Sequence, residues 1–244
     1  MLQPISDLFG WMMGYVYNSL AKIMAEPAQV SFFAMTILVM ALISKLIMIP
    51  LMAKSTQSSQ KMQELGPKVE ALKKKYGYDE RILQEKTQEL YKSEGISAMG
   101  CSSCLPMVLQ LVLIFALFAV LKDPARYMTT TGSSFHSIAK NFFWIPDLLK
   151  SDPLSWFGLP LIYLITQVGI MFFGPMRQQQ TGPNKNMSLM FQFMPVIFYF
   201  MSISWASGLL LYWASGNVLE LIYRGISALF FRSKKHTAVE GGKK

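Results

Sequence analysis

The feature that most constrains this chain is an apolar run at residues 30–53, VSFFAMTILVMALISKLIMIPLMA. A helix rises about 1.5 Å per residue, so this run is long enough to cross a hydrocarbon core of roughly 30 Å. It nevertheless contains Lys45, and a lysine deep in a membrane helix costs on the order of 2.5–3.5 kcal/mol on insertion scales. Such residues usually face a bundle interior or a water-filled cavity. The run therefore predicts a membrane helix that lines a polar interior.

The composition indicates the same class of protein. Of the 244 residues, 52% are hydrophobic and only 15% are charged, which is typical of an all-α polytopic membrane protein. The net charge of +9 is distributed as membrane topology would place it, and no groove-binding motif accompanies it. We therefore expect no specific nucleic-acid partner.

Five apolar stretches predict five transmembrane helices in a single domain. They lie at about 30–53, 105–121, 157–174, 187–203 and 208–228. The last two are separated by too few residues for anything but a turn, so they are predicted to pair antiparallel. The core, with its polar insertion, is predicted to span 26–230. A short basic tail at 231–244 is expected to be cytosolic and disordered.

The first 25 residues lack a basic n-region and a cleavage site, so we do not expect their removal. Apolar residues recur there at steps of three and four, which predicts an amphipathic helix in the plane of the membrane interface. A poorly inserted extra span is the alternative. The predicted apolar stripe consists of Leu8, Phe9, Met12, Met13, Val16, Tyr17 and Leu20.

The polar insertion, residues 54–100, predicts a cytosolic hairpin of two helices. The first is interrupted or kinked at Gly66-Pro67 and has an apolar seam. Gly77 is expected to end it in the left-handed conformation, and Asp79 is expected to cap a second helix that runs through about Lys92. The seam consists of Met62, Leu65, Val69, Leu72 and Tyr76 on the first helix and Leu83, Leu90 and Tyr91 on the second.

Lysine and arginine set the predicted orientation. If the first span runs from outside to inside, the inner segments hold seventeen basic residues and the outer segments hold five. The positive-inside rule then places the N-terminus outside and the C-terminus in the cytosol.

Polar groups occur on all five spans. On the last, Trp213, Asn217, Glu220 and Arg224 follow at steps of 4, 3 and 4 and share one face. Glu220 and Arg224 are suitably spaced for an ion pair, and snorkelling to the inner surface is the alternative for both, as it is for Lys45. Together the polar groups predict a shared hydrophilic groove open to the cytosol. Its predicted substrate-binding residues are Lys45, Gln110, Thr166, Gln167, Gln192, Trp213, Asn217 and Glu220.

Other functions find less support in the residues. Cys101 and Cys104 form a CxxC pair that is compatible with redox chemistry or half a zinc site, but packing cysteines fit better because no second pair exists and both histidines are distant. No phosphate-binding loop and no HExxH or GxSxG motif occurs, so no nucleotide, metal, cofactor or enzyme activity is predicted. A small-solute transporter remains the alternative, although five spans provide no even inverted repeat.

Several motifs, in order, resemble the YidC/Oxa/Alb family of membrane protein insertases. After the lysine-bearing span they are IPLMAKSTQSSQKMQELGPKVEALKKKY, GCSSCLPMVLQ, NFFWIPDLLKSDP and MPVIFYFMSISWASGLLLYWASGNVLELI. The resemblance covers about residues 2–230. It implies a five-helix core whose groove is closed outward and open to the cytosol and the lipid. It also implies nascent membrane proteins as clients, with a ribosome and a Sec translocon as further candidate partners.

The sequence departs from the family pattern at its central charge. Bacterial members commonly carry an arginine at the position that matches Lys45, and a lysine is a compact charge rather than a two-pronged donor. Two serines inserted in GCSSCLP and ASGL in place of PAGL are smaller departures. With no large domain before the core, the chain resembles the short bacterial form of the family. The lipoprotein cysteine that is common in that form is missing from this sequence. We expect it in the bacterial plasma membrane.

Overall fold

A computed structural model of the chain describes residues 3–95, 101–127, 138–173 and 185–241. Every regular element in these ranges is helical, apart from two isolated bridges at Val30–Phe142 and Phe142–Ile145. The all-α prediction is therefore confirmed. The helices are α1 (Gln3–Ile23), α2 (Phe32–Glu64), α3 (Gly66–Tyr76), α4 (Glu80–Ser93), α5 (Cys101–Lys122), α6 (Leu159–Phe173), α7 (Lys185–Ser202) and α8 (Ser207–Gly241).

Each of the five predicted spans is helical in the structure, as α2, α5, α6, α7 and α8. Two stretches within the described ranges, Phe32–Ser55 and Ser155–Phe172, are long and apolar enough to cross a membrane. Two shorter apolar helical stretches lie at Val108–Lys122 and Phe193–Ser202. The turn predicted between the last two spans is present, because Trp205 donates its backbone N–H to the carbonyl of Ser202 just before α8 begins. Their predicted antiparallel pairing along the whole length is not found among the described contacts, since α7 packs mainly on α6.

The core lies where α1, α2, α5, α6 and α8 meet, and α7 packs mainly on α6. Large apolar side chains at this junction are fully buried, so packing removes their apolar surface from solvent. They include Met13, Phe33, Ile37, Met40, Leu117, Tyr163, Leu210 and Tyr212.

Helix α1 packs on the bundle through most of the predicted apolar stripe, since Met12, Val16 and Leu20 are partly buried against the core. Three of the predicted stripe residues, Phe9, Met13 and Tyr17, are buried against the bundle, whereas Leu8 is 60% exposed beside Trp11 and Tyr15. Both faces of α1 are thus apolar in part.

The end of α5 is tied to α1. The phenol of Tyr127 donates to Asp7 across 2.6 Å, and this hydrogen bond raises the pKa of Tyr127. The Tyr127 ring lies 2.5 Å from where a Cβ on Gly10 would be, so the glycine leaves room for it. The ring of Tyr127 therefore packs against α1 at Gly10, and the backbone carbonyl of Tyr127 packs against it at Gly14.

A folded loop at 138–158 joins the beginnings of three helices. The carbonyl of Asn141 accepts the backbone N–H of Ser31 before α2 (3.0 Å), and that of Lys150 accepts the N–H of Ser207 at α8 (2.7 Å). The carboxylate of Asp152 accepts the N–H of Leu159 at the start of α6 (2.6 Å). Because Ile145 in this loop is also fully buried, the loop closes one end of the bundle.

Helices α3 and α4 pack against each other. Val69 and Leu83 of the predicted seam are buried, and Lys68 near the start of α3 bonds to Glu94 after the end of α4 at 2.7 Å, so the two helices are antiparallel. The predicted cap is confirmed, since Asp79 accepts the backbone N–H of Arg81 at 2.9 Å. The side chain of Met62 lies outside the described residues.

Two local predictions were wrong. Gly77 is right-handed, with φ −66° and ψ −7°, and a side chain there would collide with the carbonyl of Lys73, so the glycine provides space rather than handedness. The tail is helical as far as Gly241 instead of disordered, and residues 226–240 contain neither glycine nor proline, the two residues least favourable in a helix.

Candidate functional site

The polar face predicted for α8 carries an ion pair. Asn217, Glu220 and Arg224 follow at steps of three and four, so they lie along one side of the helix. Arg224 donates to Oε1 of Glu220 from Nη2 at 2.7 Å and from Nε at 3.1 Å. The predicted pairing of these two residues is therefore confirmed.

Lys45 joins this pair from α2. Its Nζ donates to Oε2 of Glu220 across 2.9 Å, and the whole residue is only 8% exposed. The lysine is thus directed toward α8 and a carboxylate, rather than along its own helix toward solvent as snorkelling would require. Its neighbours Leu46 and Ile47 are exposed, so α2 turns its charge inward and its apolar side chains outward.

The three charged groups form one cluster of two cations and one anion. Their side chains are 10%, 15% and 16% exposed for Lys45, Glu220 and Arg224, so water screens them poorly. Charges in such surroundings attract each other more strongly than at a surface, but each also costs more to remove from water. Both oxygens of Glu220 are engaged, and the cluster keeps one unit of positive charge.

Space for the lysine comes from a glycine that the sequence analysis did not single out. A Cβ on Gly216 would lie 3.0 Å from Cε of Lys45, which is closer than ordinary van der Waals contact. Gly216 precedes Asn217 on α8, so the lysine stem lies against the backbone of that helix. In the sequence, Gly216 could have been found from its place beside Asn217, on the helix that carries the polar face.

A second polar cluster connects α8 to α6. Nδ2 of Asn217 donates to Oε1 of Gln167 at 2.9 Å and to Oγ1 of Thr166 at 3.3 Å. The Thr166 hydroxyl donates in turn to the carbonyl of Ile162, so its oxygen is free to accept. Three predicted site residues are thereby brought together: Thr166 and Gln167 from α6, and Asn217 from α8, the helix that also carries Glu220.

The remaining predicted site residues lie elsewhere or outside the description. Gln110 on α5 has a buried Oε1 without a hydrogen-bond partner among the described residues. Trp213 belongs to an aromatic cluster, 4.9 Å from the ring of Tyr163 and stacked at 6.0 Å on Trp205, and is 9% exposed. Its observed contacts are those of core packing. The side chain of Gln192 lies outside the described residues.

The comparison with known proteins identifies the family. Residues 26–232 match the model of the 60Kd inner membrane protein family, which is most of the chain. The chain belongs to this family. The YidC/Oxa/Alb resemblance in the sequence is thereby confirmed.

Several curated relatives of this family are named membrane protein insertase YidC. The chain is 34% identical to that of Rhizobium meliloti over 80% of its own length and 33% of the relative's. It is 30% identical to that of Francisella philomiragia, with 93% of this chain and 36% of the relative covered. The chain thus spans about a third of the length of the curated relatives it matches.

The charged cluster gives the contacts of Lys45, which stands where the resemblance implies an arginine. Lys45 makes one hydrogen bond to Glu220, while the guanidinium that donates twice to the same carboxylate belongs to Arg224 on α8. Within this member of the 60Kd inner membrane protein family, an arginine and a lysine therefore face each other across one acid.

The described residues contain no group of His, Cys, Asp or Glu that is arranged to hold a metal ion. The side chains of Cys101 and Cys104 lie outside the description. What the site offers chemically is a set of fixed charges and amides inside an apolar bundle. Such groups are able to form hydrogen bonds and ion pairs with other polar groups.

Proposed function

We propose that this chain is a membrane protein insertase. It takes polar segments of nascent membrane proteins into a hydrophilic groove and releases their apolar segments into the bilayer. The observation that carries the proposal is the buried cluster of Lys45, Glu220 and Arg224 within a bundle whose outer surface is apolar. Ionisable residues inside membrane segments are rare, and they commonly mark functional sites such as substrate pathways. Family membership and the names of the relatives point to the same function.

The surface of the bundle supports a position within the bilayer. All five helices predicted as spans expose large apolar side chains, a pattern that would cause aggregation in water. Examples are Leu46 and Ile47 on α2, Phe115 and Phe118 on α5, Ile165 on α6, Ile197 and Phe200 on α7, and Ile222 on α8. We therefore propose that α2, α5, α6, α7 and α8 cross the membrane. Trp11 and Tyr15 on α1 suit the headgroup region beside it.

The proposed orientation places the N-terminus outside and the tail inside, as the seventeen inner and five outer basic residues favour. The loop at 138–158 then closes the outer end of the bundle. Lys45 lies thirteen residues after Phe32, or about 20 Å along α2 from that end. The α3–α4 hairpin follows on the cytosolic side, where it is positioned to meet a client that emerges from a ribosome.

The proposed mechanism is passive. The polar flank of a client enters from the cytosol, and Lys45, Asn217 and Gln167 replace part of its hydration. The stretch of hydrocarbon that the flank must cross becomes shorter. Burial of about 20 apolar residues of the client in lipid supplies the driving force. Acidic flanks gain in addition from the membrane potential, about 2.3 kcal/mol per charge per 100 mV.

Reconstitution in liposomes tests this function. The client is a short single-span protein with an acidic N-terminal tail, and protection of the tail from external protease reports its translocation. Wild-type protein should raise protection well above empty liposomes. Lys45→Arg should retain this activity, and Lys45→Ala should lose much of it. Equal protection in empty liposomes and proteoliposomes would contradict the function, and equal activity of all three proteins would remove Lys45 from the mechanism.

A further inference from the structure

Lys45 already holds a carboxylate, and that carboxylate belongs to the protein. Oε2 of Glu220 lies 2.9 Å from Nζ, at the distance of a charge-assisted hydrogen bond. The ammonium has three N–H donors, but an acidic side chain of a client that binds it must come close to Glu220, and the two carboxylates repel each other. Glu220 and an acidic client thus compete for one ammonium.

The charges of the cluster favour an exchange. Two cations share a single anion, so the cluster lacks one negative charge for neutrality. If a client carboxylate takes Lys45, Glu220 keeps its two bonds to Arg224, whose Nη2 is 2.7 Å away. The result is two one-to-one ion pairs in place of three groups with an excess charge. No buried charge is left without a partner at the end of the exchange.

We propose that Glu220 is a resident counter-ion that occupies Lys45 until an acidic side chain of a client replaces it. Glu220 thereby determines how strongly the groove prefers acidic flanks over neutral polar ones, and Arg224 determines how readily Glu220 is released. This inference rests on the proposed insertase function and specifies the chemical group that the site accepts.

Two substitutions move the preference in opposite directions. Glu220→Gln removes the competing charge and leaves Lys45 and Arg224 facing the groove, so the preference for acidic tails should rise. Arg224→Gln leaves Glu220 dependent on Lys45 alone, so the preference should fall. A residue that only supports the packing of α8 would produce no such opposite pair of shifts.

The experiment uses the full chain in liposomes and two clients that differ only in three tail residues, aspartate in one and asparagine in the other. The readout is the ratio of protected acidic tail to protected neutral tail, in which a general loss of activity cancels. We expect the ratio to rise roughly fivefold in Glu220→Gln and to fall roughly fivefold in Arg224→Gln. This factor is at the lower end of the range for coupling between two sites. Asp7→Asn on α1 is the matched control, because it also removes a carboxylate from an ion pair, in this case the exposed pair with Arg126. The ratio for this variant should equal that of wild type.

Unchanged ratios in both variants, or shifts in the same direction, would overturn the proposal while leaving the insertase function intact. Thermal unfolding identifies any variant that fails to fold. If Glu220→Gln fails to fold, the Arg224→Gln variant alone tests the proposal. A ratio for Arg224→Gln equal to or above that of wild type then contradicts the inference. A wild-type protein that protects neither tail would refute the proposed function itself.

Discussion

Lys45 and Glu220 are 175 residues apart in the chain, and their side chains meet at 2.9 Å between α2 and α8. The contact joins the first and the last predicted spans through two charges that are each mostly buried. Lys45 and Glu220 are not equivalent, because Arg224 also bonds to Glu220. The acid is paired with two cations, and both cations depend on this one acid.

This asymmetry predicts unequal stability losses. Lys45→Met leaves Glu220 paired with Arg224 and should cost about 1.5 kcal/mol, the lower range for a hydrogen bond to a charged group. Glu220→Gln leaves two buried cations without an anion and should cost about 3 kcal/mol or more. Unfolding titrations in detergent micelles measure both. A larger loss for Lys45→Met than for Glu220→Gln would contradict the assignment of Glu220 as the shared partner.

Asn217 is expected to stabilise the contact between α8 and α6. Asn217→Ala removes its bonds to Gln167 and Thr166 and should cost about 1–2 kcal/mol, as interhelical hydrogen bonds do in membrane proteins. Ser215→Ala is the matched control on the same helix, because the Ser215 hydroxyl bonds only to carbonyls of α8 among the described contacts. Equal losses in the same unfolding titration would show that the bonds to α6 contribute nothing.

Two glycines of α8 provide a matched pair for the packing of Lys45. Gly225→Ala meets nothing within 4 Å and should raise stability by up to about 1 kcal/mol through helix propensity. Gly216→Ala should lose this gain, because the new methyl group displaces the Lys45 stem and lengthens its bond to Glu220. Thermal unfolding compares the two variants. A Gly216→Ala protein as stable as Gly225→Ala would indicate that Lys45 moves aside without loss.

Asp152 should be the most sensitive acid of the loop at 138–158. It is 3% exposed and accepts the backbone N–H groups of Leu154 and Leu159 and the indole N–H of Trp144. Asp152→Ala leaves these donors unsatisfied and should cost about 2–3 kcal/mol. In Asp147→Ala only the bond to the N–H of Leu149 is known to be lost, at a cost of about 1 kcal/mol. Protease sensitivity of the loop should follow the same order, and a reversed order would refute the anchoring role.

Much of the fold could be predicted because helices follow local rules. The apolar runs located the five long helices, Asp79 predicted the start of α4, and the four-residue step predicted the pair of Glu220 with Arg224. The cap and the ion pair depend on residues within one or two turns of each other, and each apolar run is a property of one continuous segment. The errors at Gly77 and in the tail concern helix ends, where small differences in local energy decide the outcome.

The sequence by itself determined that the chain forms apolar helices with a charge in the first span and polar groups on one face of the last. Only the tertiary structure decided that Lys45 meets Glu220 instead of water, that Asn217 bonds to α6, and that Trp213 packs among aromatic rings. The loop at 138–158 likewise acquires its structure from the helix beginnings it joins. The physical reason is range: propensity and spacing act over a few residues, whereas these contacts depend on how distant helices pack, and no local pattern specifies that.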